Sequence, residues 1–156
     1  MINLFSTTLI QRPIKQVFDF ISTAGNDVQW QYGALASSQL SPTPIGLGTL
    51  FSSLGHFMGR RLQGKFEVTE YEPNKKYGFK SLSGPVHSTT SYTLEKDSGR
   101  TKLLVSIQAS VPNFFHITEK LLWKTMKKQL EEDMAMLRTI LEQNSSAFRP
   151  EPPDVQ

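Results

Sequence analysis

The chain has 156 residues, 38% hydrophobic and 20% charged, with 17 Lys and Arg against 14 Asp and Glu and no Cys. Its length fits one domain able to bury a core without staples, and the absence of Cys excludes disulfides, thiolate metal sites and a Cys nucleophile. The net charge of +3 is scattered, with local clusters only at Arg60–Arg61, Lys75–Lys76 and Lys124–Lys128, which argues against a nucleic-acid partner; no apolar run approaches a membrane span, and the start lacks a secretory signal, so a cytoplasmic protein is expected.

Ile2 to Ile10 mixes Ile, Leu and Phe with Thr and reads as a strand. Pro13 opens a helix with Ile14, Val17, Phe18 and Ile21 at helical spacing. Ala24, Gly25 and Asn26 break it, and a short helical turn over Asp27 to Gln31 follows, with Asp27 as its cap and Trp30 turned inward.

From Leu35 to Val111 short strands alternate with turn chemistry at SPTPIGLG, Gly55–Gly59, EPNKK, Ser83–Pro85 and KDSG. Strands are expected near 35–40, 49–55, 61–71, 77–83, 86–95 and 101–111, joined by links short enough for antiparallel hairpins. In the last, Leu103, Val105, Ile107, Ala109 and Val111 share one face, and Lys102, Ser106, Gln108 and Ser110 the other. In 61–71, Leu62, Phe66 and Val68 oppose Arg61, Gln63, Lys65, Glu67 and Thr69, and Gly64 interrupts the apolar face as a bend would.

Phe114 to Gln143 reads as one long amphipathic helix, with Pro112 and Asn113 as break and cap. Leu122, Trp123, Met126, Leu130, Met134, Leu137, Ile140 and Leu141 form its apolar stripe. At about 1.5 Å per residue it runs roughly 40 Å, so a partner surface of that length is required. The polar, Pro-rich stretch 145–156 is expected to be a disordered tail to a single domain over 1–144.

The run Pro13 to Ser22, then Trp30, Gly46-Leu47-Gly48-Thr49, Gly59-Arg60-Arg61, Val68-Thr69-Glu70-Tyr71-Glu72-Pro73, Ser83-Gly84-Pro85, Tyr92-Thr93-Leu94-Glu95 and Gly99 with Thr101 resembles the polyketide cyclase/dehydrase-like group. That group lies in the START-like, birch-pollen-allergen-like (SRPBCC) superfamily, and the likeness covers residues from about 3 to 143. It implies an α+β helix-grip fold: a curved seven-stranded antiparallel sheet around a long C-terminal helix, with two short helices after the first strand. It also implies a cavity between sheet and helix. Thr23-Ala24-Gly25-Asn26 departs from the acidic, proline-rich link common in the group, so the cavity mouth is expected to differ.

The ligand expected there is a small hydrophobic or amphipathic molecule, and the protein a monomer or homodimer. Ser88, Thr90 and Tyr92 alternate on one strand face, and a phenol with two hydroxyls could orient a ligand in an apolar lining; the bland reading of Tyr92 is core packing. Phe66, Phe79, Val105 and Ile107 from the sheet, and Met126, Leu130, Met134 and Leu137 from the helix, complete the expected lining. Asp133 falls beside Leu130 and Leu137 on the helical count, where a carboxylate's pKa would rise. With Tyr92 it would be the acid or base of the rival reading, a polyketide cyclase or dehydratase; a third reading is a protein-interaction or co-chaperone module. His56, His87 and His116 fit no metal-ligand spacing, and neither metal nor cofactor is expected.

Overall fold

The computed structural model describes residues 1–42, 44–110 and 117–143. Strand β1 (Ile2–Ile10) leads into helix α1 (Ile14–Ile21), a 3-10 turn (Ala24–Asn26) and helix α2 (Asp27–Trp30). Strands β2 (Ala34–Gln39), β3 (Leu50–Phe57), β4 (Arg60–Glu72), β5 (Lys76–Ser81), β6 (His87–Asp97) and β7 (Arg100–Ser110) follow, and helix α3 (Glu119–Gln143) closes the series. The strands form one curved antiparallel sheet in the order β1-β7-β6-β5-β4-β3-β2, a continuous meander with β1 added beside β7. This is the helix-grip fold.

Local chemistry sets the meander. Met58 and Gly59 (φ 52° and 80°), and Ser98 and Gly99 (φ 51° and 83°), put two consecutive residues in the left-handed region, the backbone of a type I′ turn, whose twist matches the strands it joins. Register shifts at Ala34/Ala36 in β2 and Val68/Glu70 in β4 add the local bending that bulges give a sheet. Along β7, Leu103, Val105 and Ala109 are buried, and Lys102, Gln108 and Ser110 are exposed. Val111, assigned to the same face by alternation, lies outside the described residues.

Helix α3 buries Leu122, Leu130, Met134, Leu137 and Leu141, the recurrence of three and four residues that makes one stripe. It starts at Glu119 rather than Phe114: Ile117 is a bend, and Thr118 caps, its hydroxyl accepting from the Leu121 N–H at 3.2 Å. The expected break and cap at Pro112 and Asn113, and Phe114 to His116, lie outside the described residues, as does the expected tail.

The helix lies chiefly against β1 and α2. Its side chains seal the open edge of β1: the Trp123 indole N–H donates to the Asn3 carbonyl at 2.8 Å, the Lys127 ammonium donates to the Phe5 carbonyl, and the Glu142 carboxylate accepts from the Gln11 N–H at 2.8 Å. An unpaired edge strand is thereby occupied without a further strand. No described helix is long and apolar enough to cross a membrane.

Candidate functional site

Because α3 leans towards β1, space is left between its first half and the far strands. A cavity of about 230 Å³ lies there, bounded by β3, β4, the Ser83–Val86 link and Met126 of α3. Phe57, Leu62, Phe66, Val86 and Met126 give it apolar walls, and Ser53, Gln63, Ser83 and Ser88 contribute its polar groups. Gly64 keeps it open. It sits opposite Ser53 in the β3–β4 register, and a Cβ at Gly64 would lie 2.5 Å from the Ser83 carbonyl oxygen. The glycine read from sequence as a bend is therefore also a wall that cannot carry a side chain.

A smaller space of about 150 Å³ adjoins it, sharing Ser53, Gly55 and Leu62 as lining and adding Gln31, Gly33, Ala34, His56 and Gln129. A stack of rings underlies the larger one: Phe51 and Phe66 are parallel at 5.2 Å, and Phe79 meets both edge-on at 5.2 and 5.8 Å.

Of the residues expected to line a cavity, Phe66, Ser88 and Met126 do line this one. Phe79 lies one ring behind Phe66. Thr90, Tyr92, Val105, Leu130, Met134 and Leu137 are buried, at most 8% exposed, and Ile107 packs against that core; none of these belongs to the cavity wall. Leu130, Met134 and Leu137 of α3 are thus packed in the core, and the cavity beside Met126 lies against the first half of the helix. The sequence reading missed Ser53, Phe57, Leu62 and Val86. For Ser53, Phe57 and Leu62 the one signal was position on the two strands paired at Gly64, and Val86 lies on the link after Ser83.

Tyr92 belongs to a different cluster. Its ring stacks on Tyr77 at 6.2 Å and meets Trp30 edge-on at 6.4 Å. Burial pushes its phenol well above the ordinary value, reinforced by the negative charges of Asp27, Tyr77 and Asp133. Tyr77 is raised for the same first reason, burial. Asp27 does not cap α2: no side-chain cap bond forms there, and its carboxylate instead accepts from the Ser37 hydroxyl of β2 at 3.3 Å. Burial pushes that carboxyl up to about 7, opposed by the Ser37 bond.

Asp133 is raised to about 6, first by burial, with the Tyr32 backbone N–H at 2.9 Å working the other way and Glu132 adding to the rise. It lines a separate depression of about 240 Å³ with Val28, Tyr32 and Met136. Two carboxyl groups whose pKa is raised by burial therefore act on Tyr92 through their charge, and Asp27 is one that sequence reasoning had assigned to another task. His56 sets its ring edge-on to Tyr32 at 5.6 Å, His87 is exposed, and His116 lies outside the described residues. No metal-binding group of His, Asp or Glu converges among the described residues.

A family model described as "Activator of Hsp90 ATPase homolog 1-like protein" matches residues 11–142. No curated protein matches the sequence. Among solved structures, TTHA0849 from Thermus thermophilus aligns with a TM-score of 0.78 at 14% identity, over 94% of this chain and 99% of that one. A START superfamily protein from Mycobacterium smegmatis aligns at 0.76 and 14% identity, over 91% and 98%. The Zhui aromatase/cyclase from Streptomyces sp. R1128 aligns at 0.74 and 12% identity, over 92% and 94%. At these identities the likeness is one of fold.

Proposed function

The chain belongs to the activator of Hsp90 ATPase homolog 1-like family, within the START-like superfamily, and we propose that it binds a small hydrophobic or amphipathic molecule in the cavity beside Met126. The observation that carries this reading is the cavity itself, about 230 Å³ with six apolar side chains in its wall, Pro85 included. An apolar ligand entering it gains by leaving water, at about 25 cal/mol per Å² of apolar surface, and a few polar groups in the wall can orient it. The START superfamily protein and the aromatase/cyclase on the same fold make a ligand chamber a reasonable use of that space.

Binding is favoured over a cyclase or dehydratase because the acid and base candidates stand apart from the chamber. Tyr92 is behind Phe79, which is behind Phe66, with centroid steps of 6.4 and 5.8 Å. A protein-interaction module built on the outer face of the sheet would need no such chamber.

The test is thermal shift against fatty alcohols, sterols, flavonoids and aromatic polyketides, for the wild type and for Ser53→Phe. A ligand at a hundredfold excess over its Kd stabilises by about 2.7 kcal/mol. The phenyl group would occupy the space opposite Gly64, so the variant should stay folded and lose the response. A response unchanged in Ser53→Phe would place the ligand elsewhere.

A further inference from the structure

Resting on that reading, we propose that the ligand is an uncharged amphiphile, its apolar part beside Met126 and its neutral polar head held between the side-chain amides of Gln31 and Gln129. The two adjoining spaces share Ser53, Gly55 and Leu62, so a molecule filling the larger extends naturally into the smaller. Gln129 follows Met126 by three residues on α3, and residues at that spacing lie on the same helical face. One face of one helix thus presents a thioether to the apolar space and an amide to the polar one.

The Gln129 amide passes close to Gly33, which has room for it because it carries no side chain. The amide nitrogen lies 2.9 Å from where a Cβ of Gly33 would stand, and the Gly33 carbonyl is itself engaged by the His56 N–H at 2.8 Å. Neither Gln31 nor Gln129 has a side-chain hydrogen bond among the described residues. Each amide offers both donors and acceptors, which is what a hydroxyl, carboxamide or carbonyl head requires.

The charge pattern sets the class. The chain carries 31 charged residues, 17 Lys and Arg plus 14 Asp and Glu, yet no Lys, Arg, Asp or Glu lines either space. A carboxylate or ammonium head entering here would lose water and meet no Lys, Arg, Asp or Glu in the wall, and the one ionisable residue of the smaller space, His56, has its ring edge-on to Tyr32 at 5.6 Å; burial without a counter-charge is costly for an ion and mild for a hydrogen-bonded neutral group. The carboxylates of Glu132 and Asp133 line a neighbouring depression that shares Gln31 and Ala34 with the smaller space, and neither is part of the wall of either space; Asp133 there accepts from the Tyr32 N–H.

The experiment is calorimetric titration of the intact chain with 1-decanol, decanoate and decylammonium, each below its aggregation concentration near neutral pH. Decanol should bind at least about tenfold more tightly than either charged chain. Gln129→Glu should reverse the order in favour of decylammonium. Gln129→Leu, which has no charge to accommodate, should weaken decanol severalfold and rescue neither ion. Should either ion match decanol in the wild type, or both Gln129 variants keep the wild-type affinities, the neutral-head inference is overturned while the chamber stands. If no chain binds whatever its head, the chamber reading fails and takes the inference with it.

Discussion

Asp27→Asn should make the protein more stable at alkaline pH and leave it nearly unchanged in acid. Asp27 opens α2 and faces Ser37 of β2, whose hydroxyl donates to it at 3.3 Å. Burial raises its carboxyl from 3.8 to about 7, so the native state holds the proton more tightly than the unfolded chain does. Between about pH 4 and 7 the native state binds more protons, and stability falls as pH rises through that window, flattening above it. Taken at face value the displacement corresponds to on the order of 4 kcal/mol. Asp27 keeps some access to solvent, and screening reduces the realised effect to roughly 2 kcal/mol. Asparagine keeps an acceptor for Ser37 and removes the charge. Urea unfolding of both proteins at about pH 4 and pH 8 measures the difference directly: the variant should gain roughly 2 kcal/mol at the higher pH and little at the lower. Asp133, raised to about 6, adds a fall of the same sign in both proteins and cancels in the comparison. An equal gain at both pH values, or a variant less stable at pH 8, would refute the reasoning.

Two further outcomes follow from packing. Leu137 is fully buried and Met126 borders the cavity, so Leu137→Ala should cost about 2 to 5 kcal/mol and Met126→Ala clearly less, because a site beside open space leaves less new void behind; equal costs in denaturant would mean that the space beside Met126 is filled. Trp123→Phe removes the indole donor to the Asn3 carbonyl at the edge of β1 and should cost about 1 kcal/mol, with faster hydrogen exchange in β1 as the local readout; unchanged exchange would show that the indole does not guard that edge.

Periodic features were legible because they repeat. The alternation along β7, the Gly59 and Gly99 turns and the stripe from Leu122 to Leu141 each follow from a rule of spacing, and the structure places them accordingly, except that Trp123, counted on the stripe, is exposed and turns its indole N–H to the Asn3 carbonyl. Asp27 was not legible, since it precedes an apolar residue at the start of a helix, as a cap does. Its actual partner, Ser37, is ten residues on and is brought near by the fold. Helical counting placed Asp133 with Leu130 and Leu137, but unlike those two it is only half-buried and lines a depression with the exposed Val28, Tyr32 and Met136. Which inner surface it meets depends on the Gln31–Ala34 segment crossing towards α3, where Tyr32 supplies the N–H. The position of the cavity depends on the tilt of α3, set by Trp123, Lys127 and Glu142 reaching backbone atoms of β1 and the Gln11 that follows it. No period in the sequence encodes those contacts.

The separation of the two inner regions bears on what chemistry the fold can support. The buried phenols Tyr77 and Tyr92 and the half-buried carboxyls Asp27 and Asp133 lie near α2, and desolvation is the leading cause of every raised pKa among them. The chamber at β3 and β4 has no Asp or Glu in its wall. General acid or base catalysis requires the group within hydrogen-bond reach of the reacting atom, about 2.6 to 3.2 Å or one water away. For Tyr92 to reach a ligand beside Phe66, the Phe79 and Phe66 rings would both have to swing aside, disrupting the edge contacts at 5.2 and 5.8 Å that hold them against Phe51 and each other. A binder needs no such rearrangement, since its walls are in place before the ligand arrives and little ordering is left to oppose affinity. The wall of the larger chamber holds no titratable side chain, so the affinity of an apolar ligand confined to it should be insensitive to pH between about 5 and 8 even while protein stability is not.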